Sequence, residues 1–222
     1  ANLLTIAYLK YLYPDGGEII TSPFNWTSDI NSIILYGFKP VFVDINFKNL
    51  ASNDQKIIRK ISNRTKAIFL THAQGYNGLS DNLLKYLKKW KIILLEDVCE
   101  SHGAKHKSKK LGTFGLISNF SFYYAHHMST IEGGMICTSS KNVNNFMRSI
   151  RSHGLLREIN DVKFKNSYFK KYKDLNSKFI FPYQGFNVRN NEIGAILGIS
   201  QLKRLNKNIK FLNKNNEYFL KN

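Results

Sequence analysis

The stretch Ile92-Ile93-Leu94-Leu95-Glu96-Asp97 decides the fold. Its four consecutive apolar residues predict a strand buried on both faces, which is typical of a parallel sheet covered by helices. Asp97 follows this apolar run, and the carboxyl ends of parallel strands are where α/β proteins bind ligands. A carboxylate at such a place is also a common N-cap of a following helix, so position alone leaves both interpretations open.

Similar apolar runs alternate with helical patterns along the first hundred residues. This alternation predicts an α/β fold with a mostly parallel central sheet and helices on both faces. Ser80 is a plausible N-cap of one of the helices. The predicted strands are Glu18–Thr21, Val41–Asp44 and Ala67–Leu70, and the predicted helices are Leu3–Leu12, Thr27–Tyr36, Asp54–Ile61 and Asp81–Trp90.

The second half of the chain has a different pattern. Strands are predicted at Asn119–Tyr124 and Met135–Thr138, separated by a loop rich in His and Gly. Helices are predicted at Val143–Ser152 and Glu192–Leu205, where apolar residues recur three and four positions apart. Between them, Leu155–Tyr183 is basic and aromatic with weak periodicity, which favours an exposed loop or a small hairpin.

The composition excludes several classes of protein. The 222 residues include 43% hydrophobic residues and a formal net charge of +18, enough apolar material for a packed core. No run of about 18 apolar residues occurs, so no membrane-spanning helix is predicted. The lysines are scattered without a binding motif, so we do not expect nucleic-acid binding; an anionic partner can be a phosphorylated small molecule. Two cysteines, Cys99 and Cys137, cannot form a disulfide framework or a four-cysteine metal site, which favours a cytoplasmic setting.

Polar residues follow several of the predicted strands. Asp44, His72 and Asp97 each lie at the carboxyl end of a strand, and we expect them to meet at one edge of the sheet. Further along, His126 and His127 are adjacent, and since neighbouring side chains point in different directions, at most one is expected to be catalytic. No metal site is predicted, because no third ligand lies at a familiar spacing.

A second group of candidates precedes the last predicted helix. Asn187 and Arg189, in Gly185-Phe186-Asn187-Val188-Arg189, could bind an anion near the start of that helix. Helix capping with a solvated arginine is an equally good interpretation. No phosphate-binding P-loop and no G-x-G-x-x-G motif after a strand is present.

As a set, the motifs resemble the DegT/DnrJ/StrS family of pyridoxal-phosphate-dependent nucleotide-sugar aminotransferases, a branch of the fold-type I enzymes. The resemblance extends in the family's order from about residue 17 to about residue 205. The matching stretches are Gly17–Ile20, Gly37–Asp44, Arg64–Ile68, Glu96-Asp97 with His102–Ala104, Gly112–Gly115, Ser121–Tyr123, Glu132–Gly134, Arg151–Gly154 and Gly185–Arg189.

The resemblance implies a role for each matching position. Asp97 corresponds to the carboxylate that pairs with the pyridinium nitrogen of the cofactor. Trp26 corresponds to an aromatic residue that stacks on the cofactor ring, whereas without the resemblance a core tryptophan would be the better interpretation. Glu100 lies where the family often has a Gln beside the cofactor, and Ser121 corresponds to a phosphate-binding hydroxyl. Asn187 and Arg189 correspond to residues that reach the phosphate region of a neighbouring subunit's site, which implies a homodimer with shared active sites.

One position departs from the family pattern in a chemically important way. The family's cofactor-binding lysine lies five residues after the serine that corresponds to Ser121, and His126 occupies that place. Imidazole cannot hold pyridoxal phosphate covalently, but it can act as an acid or base near neutral pH. The same replacement marks a subset of the family, the 4-keto-6-deoxysugar 3-dehydratases, which use pyridoxamine phosphate bound without a covalent link.

The resemblance therefore implies an enzyme of surface polysaccharide synthesis that removes the 3-hydroxyl of a nucleotide-linked 4-keto-6-deoxysugar, with His126 and Asp97 as catalytic residues. Glutamate is the implied amino donor. Two alternatives stay open: an ordinary sugar aminotransferase, and an inactive fragment or binding remnant. Residues 1–222 are expected to be the core of the cofactor-binding large domain, truncated at both ends and without the C-terminal small domain.

Overall fold

A computed structural model describes residues 1–222, and its strands form one large sheet and one small hairpin. The strands are β1 (Glu18–Thr21), β2 (Lys39–Phe42), β3 (Thr65–Thr71), β4 (Ile93–Asp97), β5 (Lys105–His106), β6 (Lys109–Lys110), β7 (Ile117–Ser121) and β8 (Gly134–Cys137). The large sheet has the order β2-β1-β3-β4-β7-β8, and β5 pairs with β6. All neighbours in the large sheet are parallel except β7 and β8.

Helices cover both faces of this sheet. They are α1 (Asn2–Leu12), α2 (Thr27–Leu35), α3 (Asp54–Lys60), α4 (Asp81–Trp90), α5 (Lys141–Ile150), α6 (Val162–Lys171) and α7 (Glu192–Lys221). One core cluster joins α1, α2 and α5 to the sheet, and a second joins α3 and α4 to the opposite face. The predicted α/β fold with a mostly parallel, doubly covered sheet is confirmed.

Strand residues alternate between these two cores. In β3, Ala67 and Phe69 belong to the first core, whereas Ile68 and Leu70 belong to the second. In β4, Leu95 faces the first core and Leu94 the second. Because successive side chains point to opposite faces, Asp97 lies on the side of α1 and α2, and Glu96 lies on the side of α3 and α4.

Several predicted elements agree closely with the structure. The helix over Asp81–Trp90 has the predicted bounds, and the Ser80 hydroxyl accepts a hydrogen bond from the backbone N–H of Leu83, as an N-cap does. The strand over Glu18–Thr21 is also confirmed. The strand predicted at Val41–Asp44 corresponds to β2, which begins and ends two residues earlier, at Lys39 and Phe42.

The prediction of a loop or hairpin over Leu155–Tyr183 is wrong. This segment contains α6, whose first turn is capped by the Asp161 carboxylate through the backbone N–H of Phe164. No residue of α6 is fully buried, and its only partly buried apolar side chains are Phe164, Tyr168 and Phe169, so its apolar face is too short to give a clear periodicity. A small separate core of Leu156, Ile159 and Ile180 holds the segment together.

The last helix is longer than predicted. The helix predicted at Glu192–Leu205 begins at Glu192 as expected but continues to Lys221, so α7 has 30 residues. Only Gly194 is buried along its length. No helix of the structure is both long and apolar enough to cross a membrane.

Candidate active site

The carboxyl end of β4 places two carboxylates on opposite faces of the sheet. Glu96 is fully buried, and its oxygens accept hydrogen bonds from the backbone N–H groups of Gly112 (2.8 Å), Phe114 (2.8 Å) and Gly115 (2.6 Å). Burial raises the pKa of the Glu96 carboxyl, but the hydrogen bonds from His72 and this loop outweigh it and lower the net pKa. Glu96 is therefore an anchor for the loop at 112–115.

His72 is part of this anchor and not of a ligand pocket. Its Nδ1 accepts a hydrogen bond from the backbone N–H of Gly78 at 3.1 Å, so its Nε2 carries the proton that is donated to Glu96 at 3.2 Å. The predicted meeting of Asp44, His72 and Asp97 at one edge is wrong. His72 belongs to the opposite face from Asp97, and Asp44 is exposed on the outer side of the sheet, paired with Lys56 at 2.8 Å.

Asp97 lies on the other face, in a buried polar environment. Its Oδ1 accepts a hydrogen bond from the backbone N–H of Cys99 at 2.9 Å. No helix follows, so the interpretation of Asp97 as a helix N-cap is wrong. The Asp29 carboxyl of α2 lies within hydrogen-bonding distance of the Asp97 carboxyl. Two carboxyl groups are thus side by side at the carboxyl edge of the sheet.

A chain of hydrogen bonds supports this pair from below. The Asn2 amide donates to the carboxyl of Asp29, and the Thr71 hydroxyl donates to Asp29 at 3.2 Å. The Asn119 amide donates to Asn2 at 2.9 Å, and Asn119 in turn accepts a hydrogen bond from the Thr5 hydroxyl at 2.8 Å. The network joins α1, α2, β3 and β7 around the end of β4.

The loop after β7 contains a group of imidazoles. The ring of His126 lies 6.3 Å from that of His102, and the ring of His127 lies 6.0 Å from that of His102, measured between centroids. Both ring nitrogens of His102, and Nδ1 of His127, are buried without a hydrogen-bond partner. Burial, with the two neighbouring imidazoles, lowers the pKa of His102 to about 4, so this ring is neutral at physiological pH. Burial also lowers the pKa of His127.

Ser121 and the glycines fix the ends of this loop. The Ser121 hydroxyl accepts a hydrogen bond from the backbone N–H of Tyr123 at 3.3 Å, which turns the chain out of β7. Gly133 leaves no room for a side chain, because a Cβ there would lie 2.5 Å from the Thr130 hydroxyl oxygen. Both ends of the His126 loop are therefore held against the sheet.

Glu100 and Trp26 lie on loops at the same edge. The Glu100 carboxylate accepts a hydrogen bond from the backbone N–H of Gln74 at 2.7 Å, and its charge acts on His127. Trp26 is the N-cap residue of α2, and 74% of its side chain is exposed. The alternative interpretation of Trp26 as a core residue is wrong.

Asn187 and Arg189 are both exposed, and their segment pairs with another part of the chain. Asn187 forms a β-bridge with Ser152, and the Arg189 guanidinium donates to the Asn187 amide oxygen at 3.4 Å. Asn187 does not cap α7, because Asn191 does so through the N–H of Gly194. No contact joins either residue to Asp97 or His126 within the chain, so their reach to a second subunit's site stays a prediction.

Sequence reasoning missed four residues of the polar network: Asn2, Asp29, Thr71 and Asn119. The signal for Asp29 was its place in the first turn of a predicted helix, and that for Thr71 was its place after an apolar strand. The pairings themselves span up to 117 positions along the chain, so no local pattern could reveal them. No group of three or more His, Cys, Asp and Glu side chains is arranged to hold a metal ion.

An open, mostly parallel sheet with a buried polar site at its carboxyl edge defines an α/β domain of the ligand-binding class. Within that class, the family model described as the DegT/DnrJ/EryC1/StrS aminotransferase family matches residues 2–221, and the chain belongs to this family. The resemblance read from the sequence motifs is thereby confirmed.

Two curated relatives illustrate the range of the family. The chain is 37% identical over 99% of its length to GDP-4-keto-6-deoxy-D-mannose 3-dehydratase from Escherichia coli O55:H7, and covers 58% of that protein. It is 33% identical over 86% of its length to UDP-4-amino-4,6-dideoxy-N-acetyl-beta-L-altrosamine transaminase from Helicobacter pylori, and covers 46% of it. The chain thus spans about half the length of these relatives.

A solved structure gives the same picture. The E. coli GDP-4-keto-6-deoxy-D-mannose 3-dehydratase with bound hydrated PLP superimposes with a TM-score of 0.85 at 35% identity, covering 99% of this chain and 57% of that one. The fold of the chain is therefore that of the fold-type I enzymes.

Proposed function

We propose that the chain is the cofactor-binding core of an enzyme that removes the 3-hydroxyl of a nucleotide-linked 4-keto-6-deoxysugar. The observation that carries the proposal is His126. By its spacing from Ser121, the family resemblance puts His126 in the place of the cofactor-binding lysine. It lies on the loop after β7, beside the neutral ring of His102. The likeness to the 3-dehydratase from E. coli over nearly the whole chain supports the same reaction.

The residues at the carboxyl edge fit pyridoxal or pyridoxamine phosphate by their chemistry. Asp97 offers a buried carboxylate for the ring nitrogen, Ser121 a hydroxyl for the phosphate, and Trp26 an exposed ring for stacking. His102 and His127 have buried ring nitrogens without a hydrogen-bond partner. Buried polar groups of this kind fit a loop that contacts a polar ligand. When bound, the cofactor supplies an electron sink that stabilises a carbanion at the reacting carbon.

His126 is the proposed acid and base. Its partly exposed imidazole can accept a proton on a ring nitrogen and return it to a leaving hydroxyl. The ring stands between Tyr123, 6.0 Å away between centroids, and His102, so its orientation is restricted on two sides. Burial lowers the pKa of His102 to about 4, so this neighbouring ring stays neutral.

Asp97 is the second proposed catalytic residue. A carboxylate facing the ring nitrogen keeps that nitrogen protonated, because a nearby negative charge favours the cationic form. Glu100 lies next to the same site, held by the backbone N–H of Gln74. Its proposed role is to border the cofactor ring on the side of His127.

The proposed partners follow from the family and from the exposed residues. The substrate is a nucleotide sugar, and glutamate restores the amine of the cofactor after each turnover. The functional unit is a homodimer in which Asn187 and Arg189 reach the phosphate in the partner's site; both are exposed and free to do so. Cys99 and Cys137 are both free thiols, which supports a cytoplasmic enzyme of surface polysaccharide synthesis.

A sugar aminotransferase is the second candidate function, favoured by the likeness to the H. pylori transaminase. That reaction requires a lysine at the cofactor in the family's usual mechanism. Lys105, Lys107, Lys109 and Lys110 are all exposed on or beside the β5–β6 hairpin, and Lys107 is bound to Asp81. All four lysines are exposed to solvent and none has a hydrogen bond to a residue of the proposed site, so dehydration is the stronger proposal.

Replacement of His126 tests the proposal. His126→Asn removes the titrating group and is expected to lower turnover of a GDP-linked 4-keto-6-deoxysugar at least about 100-fold. Binding of pyridoxamine phosphate, followed by its absorbance, is expected to stay. His127→Asn is the matched control, since it removes the neighbouring imidazole and should keep turnover within about tenfold. Full activity of His126→Asn would disprove the assignment.

A further inference from the structure

We propose that Asp29 is a positioning residue that fixes the Asp97 carboxylate through direct contact between their carboxyl groups. The inference rests on the proposed function, because it concerns how the protein holds the group that faces the cofactor ring. Asp29 is not among the residues that the family motifs singled out.

The contact is built by three elements of the fold. Asp29 lies in the first turn of α2, which begins at the carboxyl edge of the sheet, and its side chain is fully buried. Thr71 is the neighbour of Asp97 in the register of β3 and β4, and its hydroxyl donates to Asp29 at 3.2 Å. The Asn2 amide of α1 donates to the other oxygen of Asp29. Asp29 is thus held on two sides and meets Asp97 on a third.

The charges of the pair require a shared proton. Neither carboxyl group forms an ion pair with a lysine or arginine. The α-amino group of Ala1 acts on both, but burial lowers its pKa and so disfavours its charged form. Two buried negative charges in contact repel strongly. Burial, together with the charge and the hydrogen bond of Asp97, raises the pKa of Asp29 well above its usual range. Asp29 therefore keeps its proton and donates an O–H bond to the Asp97 carboxylate.

This arrangement gives Asp97 two fixed donors, the O–H of Asp29 and the backbone N–H of Cys99. The pair as a whole holds one negative charge, which is the complement of one protonated ring nitrogen. An ionised Asp29 would add a second, unbalanced charge, whereas an apolar residue would leave Asp97 free to turn. A protonated Asp29 avoids both effects, and its oxygens also accept the hydrogen bonds that Asn2 and Thr71 donate.

A double-mutant cycle on cofactor binding tests the inference in the full chain. The variants are Asp29→Ala, Asp29→Asn, Asp97→Asn and the double variant Asp29→Ala with Asp97→Asn. The measured quantity is the dissociation constant of pyridoxal phosphate, followed by absorbance. Ser149→Ala is the matched control: it removes a buried hydroxyl that donates to the Leu155 carbonyl oxygen and is not part of the network around Asp97 and Asp29.

We expect Asp29→Ala to weaken cofactor binding at least about tenfold, the loss of one hydrogen bond to a charged group. Asp29→Asn should bind within about threefold of wild type, because its amide can still donate to Asp97. In the Asp97→Asn background, Asp29→Ala should change binding by less than about twofold, since its effect passes through Asp97. Ser149→Ala should lower the melting temperature but leave the dissociation constant unchanged.

Three results would contradict the inference. Asp29→Ala could bind the cofactor as tightly as wild type, or Asp29→Asn could bind it tenfold more weakly. Asp29→Ala could also weaken binding equally in the wild-type and Asp97→Asn backgrounds. If Asp29→Ala does not fold, Asp29→Ser replaces it, because its side chain is one bond shorter and cannot span the same gap. If the wild-type chain binds neither pyridoxal nor pyridoxamine phosphate, the proposed function fails and this inference with it. If the wild-type chain binds the cofactor but the effects of the Asp29 and Asp97 substitutions are independent of each other, only this inference is contradicted.

Discussion

Glu96 and Asp97 are adjacent in β4 but serve different purposes, because successive strand residues face opposite sides of the sheet. Glu96 accepts three backbone N–H bonds and the Nε2–H of His72. Asp97 accepts one backbone N–H and lies against Asp29. Glu96 therefore holds a loop on one face of the sheet, whereas Asp97 lies at the proposed ligand site on the other face.

The difference predicts a stability effect at Glu96. Glu96→Gln is expected to lower the free energy of unfolding at pH 7 by about 2–3 kcal/mol, since a buried charge-assisted network loses its acceptor charge. The net pKa of Glu96 is lowered in the folded state, so its contribution is present above the unfolded pKa of about 4.3 and is lost as pH falls through the folded pKa.

Urea unfolding at pH 7 and at progressively lower pH measures this difference between the variant and wild type. Asp44→Asn is the control, because Asp44 is an exposed carboxylate with one lysine partner and should change stability little. A Glu96→Gln difference that stays constant down to pH 3 would contradict the account.

At the scale of elements, the strands and the helices that pack on them could be predicted because their apolar periodicity is strong. The four buried residues of β1 and the capped helix α4 are examples. The helix α6 was missed because none of its residues is buried, and its real signals are the cap at Asp161 and the basic last turn at Lys170 and Lys171.

Only those site residues that have a local signal in the sequence could be predicted. Asp97 and His126 could be proposed as site residues because each follows a strand within a recognisable motif. Asp29 could not, because its partners Asn2, Thr71 and Asp97 come from three other elements that only the tertiary fold brings together.

The exposed position of α6 leads to a local prediction. Asp161→Ala removes the N-cap hydrogen bond to Phe164, which costs about 1 kcal/mol in typical helices. Because α6 packs only partly buried side chains, Phe164, Tyr168 and Phe169, against a small separate core, we expect faster hydrogen exchange of the backbone amides in its first turns with almost no change in the global unfolding midpoint. Hydrogen-exchange mass spectrometry checks this, and a clear drop of the global midpoint would show that α6 is part of the main cooperative unit.

At the scale of the whole molecule, much apolar surface stays uncovered in the single chain. Along α7, the side chains of Ile193, Ile196 and Phe211 are all more than 60% exposed. Trp26, beside the site, is exposed as well. Surfaces of this kind in soluble proteins mark places of association, which agrees with the proposed homodimer.

Complementation between two inactive variants tests whether the sites are shared. His126→Asn and Arg189→Ala are each expected to be inactive as homodimers. A mixed dimer has one site with both residues intact. That site takes His126 from the Arg189→Ala chain and Arg189 from the His126→Asn chain. Refolding the variants together in equal amounts should therefore restore about one quarter of wild-type activity, given random pairing into two-fold dimers. No recovery after mixing, with mixed dimers present, would contradict shared sites.

The central claim is that the cofactor is held without a covalent bond to lysine, with His126 in the place of that lysine. Its most direct test is the intact mass of the protein after incubation with pyridoxal phosphate and reduction with borohydride, read together with the absorbance of the bound cofactor. The account predicts bound cofactor and an unchanged protein mass. A stable adduct that maps to one lysine at the site would contradict it and would favour an aminotransferase.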